Sequence, residues 1–158
     1  MASGDTMAAW DALAARSPST NYPTLDLRNG HVVLDFDDTT DETTYFFGLL
    51  PAHYGGGDFT AVVKWMATTA TSGDVDWEAA FERHSSSVDL DSDSFGTDGT
   101  ATQTTAATNG AVSTASISVS PATTPAAGES YRLRISRNAN ADDMVGDAEL
   151  LSVELREA

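Results

Sequence analysis

From Thr24 onward the chain is written in short runs of Val, Ile, Thr and aromatic residues, separated by clusters of Gly, Asp, Asn and Ser. That is the pattern of an all-β domain. Residues 31–36 follow the turn signal Asn29-Gly30, and residues 43–50 carry Tyr45, Phe46 and Phe47 up to Pro51. Phe59, Ala61, Val63, Trp65 and Ala67 alternate with Thr60, Val62, Lys64 and Met66, the period of two expected when one sheet face meets a core. Beyond the turn at residues 71–74, Val75, Trp77, Ala79 and Phe81 point one way while Asp76, Glu78 and Glu82 point the other, so the two runs read as a hairpin with Trp65 and Trp77 as a cross-strand core pair. Residues 100–108, the turn Asn109-Gly110 and residues 111–120 read as a second hairpin, with Ile117 and Val119 facing in. Tyr131, Leu133 and Ile135, then Leu151, Val153 and Leu155, complete about eight strands. The expectation is an antiparallel β-sandwich or jelly roll.

The first twenty residues break this period. Met7, Trp10, Leu13 and Ala14 fall at helical spacing inside the alanine-rich run 6–16, with Asp5 or Thr6 as a cap and Pro18 beyond the end. Residues 17–23 contain two prolines among small polar residues, which is linker chemistry. The expected organisation is an N-terminal attachment arm over residues 1–21 and a sandwich domain over 22–158. The arm would present Met7, Trp10 and Leu13 to a partner as a helical stripe; the alternative is that it folds back and plugs its own sandwich.

Composition narrows the functional classes. At 158 residues the chain is one core's worth. It has no apolar stretch of the ~18 residues that a membrane-spanning helix needs, and its start lacks the basic and apolar regions of a signal peptide. No membrane partner is expected. Cysteine is absent, which removes disulfides and thiolate metal sites. With 24 acidic residues against 8 basic ones the net charge is −16, a balance that repels phosphate backbones, so no nucleic-acid partner is expected either. Seventeen of the acids are aspartate and Lys64 is the single lysine, a surface that a high-salt host or simply a GC-rich genome would produce.

Little in the chain has the spacing of catalytic chemistry. His31, His53 and His84 lie in separate segments, and no pair has metal-ligand spacing. There is no nucleophile motif, and Gly55-Gly56-Gly57 is followed by Asp58 and a strand instead of a lysine and a helix, which excludes a phosphate loop. No enzymatic activity is expected. The acidic stretch 85–99 reads as a loop anchored by Phe95, and within it Asp89, Asp91 and Asp93 offer hard oxygen ligands two residues apart. They form the best candidate calcium site, and Asp35, Asp37, Asp38, Asp41 and Glu42 make a second acidic cluster. Ser94 and Thr100 stand where a calcium loop has its turn glycine and bidentate glutamate, so solvated turn formers are the competing reading. Otherwise no cofactor is expected.

Several strings, taken together in order, carry a resemblance: residues 21–26 (Asn-Tyr-Pro-Thr-Leu-Asp), 34–40 (Leu-Asp-Phe-Asp-Asp-Thr-Thr), Trp65 with Ala67, 72–77 (Ser-Gly-Asp-Val-Asp-Trp), 91–95 (Asp-Ser-Asp-Ser-Phe), Gly128-Glu129 with 131–134 (Tyr-Arg-Leu-Arg), and 146–150 (Gly-Asp-Ala-Glu-Leu). The chain resembles a family of small virion proteins encoded among the structural genes of tailed phages. The resemblance implies a jelly-roll capsid decoration or cement protein, assembled in the host cytoplasm, bound to the major capsid protein or other virion proteins and repeated as a homo-oligomer such as a trimer. It brings no catalytic residues. Two alternatives stand beside it: a tail-fibre, turret or receptor-binding component, and a carbohydrate-binding jelly-roll module.

Overall fold

The computed structural model describes all residues from Met1 to Ala158 and places ten strands in two facing antiparallel sheets. The larger sheet runs in the order β2 (Thr24–Arg28), β3 (His31–Phe36), β10 (Ala148–Glu157), β5 (Phe59–Met66) and β8 (Ser113–Val119), with β1 (Thr6–Asp11) also pairing β10. The smaller sheet has the order β4 (Glu42–Leu49), β9 (Ser130–Arg137), β6 (Asp74–His84) and β7 (Gly99–Thr104). The all-β sandwich expected from the alternation is the fold; β1 and β2 are the strands beyond the eight. Inward residues of both sheets make one continuous core that includes Phe36, Phe59, Trp65, Trp77, Phe81, Ile117, Leu133 and Leu155, all essentially without solvent contact.

Both expected hairpins are corrected. β5 and β8 lie in one sheet, β6 and β7 in the other, so the links between β5 and β6 and between β7 and β8 cross the sandwich. Alternation specifies which side of a strand faces the core but not which sheet holds it. Trp65 and Trp77 accordingly meet across the core from opposite sheets, ring centroids 6.0 Å apart. Gly73 makes the first crossing possible: its φ is +91°, and a Cβ there would lie 2.7 Å from the Met144 Cα. A tight hairpin does form at Asn29-Gly30, where both residues have positive φ (50° and 81°), the signature of a type I′ turn.

The N-terminal segment is corrected as well. Residues 6–11 are not a helix but strand β1, with Ala8 opposite Leu155 and Trp10 opposite Val153; a single 3₁₀ turn, Ala12–Ala14, follows. The edge of β10 explains this. β3 covers that edge only over residues 148–150, and β1 takes up residues 152–156, satisfying backbone groups that would otherwise be bare. Past the 3₁₀ turn, Arg16 exchanges backbone hydrogen bonds of 2.9 Å with Tyr45 on β4. One short segment therefore touches the edges of both sheets and closes a side of the sandwich. Met7 and Trp10 pack on the core, whereas Leu13 is exposed. Trp10 packs tilted against Phe46 and edge-on to Tyr131, with centroids 5.5 and 6.3 Å away, and its indole N–H donates to the Phe47 carbonyl at 3.1 Å.

Candidate functional site

Register places the chemistry on the outer face of the smaller sheet. Phe46, Leu133 and Phe81 face the core, so their neighbours Phe47, Arg132 and Glu82 face outward, and the pairing of β4, β9 and β6 sets these three directly opposite one another in a row. The next row carries Leu49, Ser130 and His84; the row on the other side begins at Arg16 beyond the sheet edge and continues through Tyr45 and Arg134. Gly48 lies between Tyr45–Phe47 and Leu49 because Tyr131 passes beneath it: a Cβ there would lie 2.5 Å from the Tyr131 hydroxyl oxygen.

The loop of residues 85–98 folds back over this face. As expected, Phe95 anchors it, stacking on Tyr45 with centroids 5.6 Å apart. Arg132 and Arg134 hold their guanidinium groups 4.6 and 4.7 Å from the Phe95 ring, and Arg134 also bonds Asp98 at 2.5 Å. Next to this stack a pocket of about 210 Å³ opens between Phe47, Glu82, His84, Leu90 and Arg132. Phe47 is 37% exposed there, and Arg16 lies 4.5 Å above its ring. Glu82 is buried; one carboxylate oxygen accepts from Arg132 Nε and sits 3.5 Å from His84 Nε2, while the other oxygen has no protein partner. A buried acceptor left without a donor costs about 1–3 kcal/mol, and Glu82 shares that state with Asp35, Glu149 and Glu157, so what distinguishes it is its place beside the exposed Phe47 ring and His84.

Nothing in the sequence brings these residues together. In the chain Phe47 stands in a run of strand aromatics, His84 is one of three histidines in separate segments, and Arg132 and Arg134 alternate with core residues. The available signal was that alternation: an aromatic and an arginine each stand out of phase with the core on strands later found to pair.

The residues singled out earlier lie elsewhere. Asp89, Asp91 and Asp93 are exposed on the loop and do not converge: Asp89 accepts from its own turn, from the Asp91 N–H at 3.1 Å and the Ser92 hydroxyl at 2.9 Å. This is an Asx turn, the local hydrogen bonding that competes with ligation. No three His, Asp or Glu side chains of the protein are disposed to hold a metal ion. Met7, Trp10 and Leu13 do not form one stripe, because strand geometry separates them. Leu13 instead lines an apolar cleft of about 310 Å³ with Tyr22, Leu25 and Leu34, beside the exposed Leu27 on the overhanging strand β2.

Against known proteins, no family model and no curated protein matches the chain. Solved structures do. CsCBM6-3 from Clostridium stercorarium, solved in complex with cellobiose, is 12% identical and superposes with a TM-score of 0.52 over 96% of this chain and 95% of its own. TmCBM61, solved in complex with β-1,4-galactotriose, is 10% identical, with a TM-score of 0.47 over 96% of this chain and 88% of that one. At such identity the first likeness speaks for the fold, and the chain shares the jelly-roll sandwich of CsCBM6-3 along nearly its whole length.

Proposed function

We propose that the protein is a non-catalytic glycan-binding sandwich whose ligand seats on the outer face of the smaller sheet. The observation that carries this reading is the pocket in which a part-exposed Phe47 ring borders Arg132, His84 and the buried, half-satisfied Glu82. A pyranose presents an apolar C–H face to an aromatic ring and a rim of hydroxyls to planar polar side chains, and this pocket is lined by both kinds of surface. It is smaller than the ~300–1,000 Å³ clefts that enclose whole small molecules, which fits a single sugar of a longer chain. The pocket contains one carboxyl group, engaged by Arg132, whereas glycoside hydrolysis uses two flanking the bond; retention of ligand without turnover follows. The shared fold with a module solved on cellobiose supports the same reading.

The test is a glycan array followed by affinity electrophoresis on the hits. Phe47→Ala is expected to lose binding by ~10-fold or more at an unchanged melting temperature, since its ring is outside the core. Full retention of binding by that variant, or an empty array, refutes the proposal.

Virion decoration stands second. No viral protein is among the comparisons above, but one observation favours attachment to a larger assembly: Leu25 and Leu27 of β2 are more than half exposed and continue the apolar cleft at Leu13 and Tyr22. Counting copies of the protein on purified particles checks it.

A further inference from the structure

The charge bookkeeping of the whole molecule singles out one side chain. Of eight cationic residues, Arg28, Arg83, Arg132, Arg134, Arg137 and Arg156 each pair with a carboxylate, and Lys64 donates to the Thr114 hydroxyl. Arg16 alone has no acceptor. In a chain with three acids for every base, a guanidinium that avoids all 24 carboxylates is held away from them by its position. The backbone bridge to Tyr45 fixes it at the sheet edge, and its guanidinium carbon sits over Phe47, 4.5 Å from the ring centroid. Stacking occupies the face of a guanidinium and leaves its edge free, and the edge carries the five N–H groups whose fork matches a carboxylate or a sulfate. Arg16 thus stands beside the pocket, next to its Phe47 wall and outside its lining, as an unspent anion clamp. The neighbouring arginines are already committed, Arg132 to Glu82 and Arg134 to Asp98.

Resting on the glycan-binding reading above, we infer that the preferred ligand is an anionic sugar, whose ring lies against Phe47 and whose carboxylate or sulfate group is gripped edge-on by Arg16. The surrounding charge sharpens this choice. A net charge of −16 repels polyanions from the rest of the surface, and Asp89 and Asp91 flank Leu90 at the pocket rim, so diffuse attraction contributes nothing. Contact at hydrogen-bond range survives because exposed charges beyond ~8 Å are screened at physiological salt.

Calorimetry on the full chain tests the inference with three probes of similar length: tetragalacturonic acid, a sulfated galactan oligosaccharide and neutral cellotetraose. The expected result is ~10-fold or greater preference for one of the acidic probes over the neutral one, with the favoured probe identifying the anionic group. Arg16→Ala, whose exposed side chain leaves the backbone bridge intact, should collapse that ratio to about unity, and Arg16→Lys, which keeps charge but not the fork, should restore it only in part. Equal binding of neutral and acidic probes overturns the anionic-sugar inference while leaving glycan binding standing. A preference that persists in Arg16→Ala overturns the role of Arg16. Binding of none of the three, with an empty array, overturns both proposals together.

Discussion

A guanidinium removed from water keeps its charge, so a fully buried arginine is tolerated only where acceptors surround all its N–H groups. Arg137 at the end of β9 meets that condition: Nε and Nη2 grip Asp142 at 2.7 and 3.0 Å, and the remaining donors reach the carbonyls of Phe36, Met144 and Gly146 at 2.8 to 3.0 Å. It therefore ties the loop between β9 and β10 to the end of β3. Arg137→Met would leave Asp142, equally buried, without its counter-charge and three carbonyls without donors. Breaking such a pair costs about 3–5 kcal/mol, or a fall of ~10 °C in Tm for a domain of this size. Arg156, paired with Glu154 at the surface, provides the contrast: Arg156→Ala should move Tm by no more than ~4 °C, because exposed pairs contribute ~0–1 kcal/mol. Thermal melts of the two variants side by side check the difference.

Strand β1 shows how a partner can override local preference. Residues 6–16 carry alanines and an i, i+3 apolar spacing that favour a helix, yet the open edge of β10 captures them as a strand, and nothing within the segment itself announces that edge. If β1 is an integral strand, deleting residues 1–11 bares the β10 edge and the flank of Phe46 and Tyr131, and Trp10→Ala alone should cost ~2–3 kcal/mol, less than full burial of the ring would imply. Urea melts measure both; a truncated chain with unchanged stability would restore the tethered arm. The two misassigned hairpins have a related cause. The alternation of β5 and β6 made their strand character and inward faces legible, including Trp65 and Trp77, but a chain that turns back in its own sheet and one that arches to the opposite sheet carry the same period and the same turn residues. The site was hidden for that reason: Phe47, Arg132 and Glu82 become neighbours only through the register of β4, β9 and β6, which couples residues far apart in the chain.

Across the whole molecule the acids are not equivalent, and their differences give a pH dependence of definite sign. On the outer face of the larger sheet Arg28 is shared by Asp26, Asp35 and Glu149, the last two being register partners on β3 and β10; one oxygen each of Asp35 and Glu149 is buried without a donor. Burial, only partly offset by Arg28 and reinforced by Asp147 and Glu149, pushes Asp35 up to about 6, and burial likewise raises Glu42 and Asp147. A carboxyl group raised in the folded state binds protons there at a pH where the unfolded chain does not, so stability increases as pH falls from about 7 towards the ordinary carboxylate range. Asp26, Asp37, Glu129 and Glu154 are held low by hydrogen bonds from Arg28, Thr39, Arg83 and Arg156, and their contribution is lost once acid reaches them. The melting temperature should therefore climb by a few degrees between pH 7 and 5, pass a maximum and drop below about pH 4. Asp35→Asn, which keeps an oxygen for Arg28, should flatten the rise and leave the acid limb in place. Repeating the titration at ~1 M potassium chloride should shrink the part due to like charges and spare the part due to burial. A melting temperature that falls steadily from pH 7 to 5 would show that the buried carboxyl groups Asp35, Glu42 and Asp147 do not govern the stability of this sandwich.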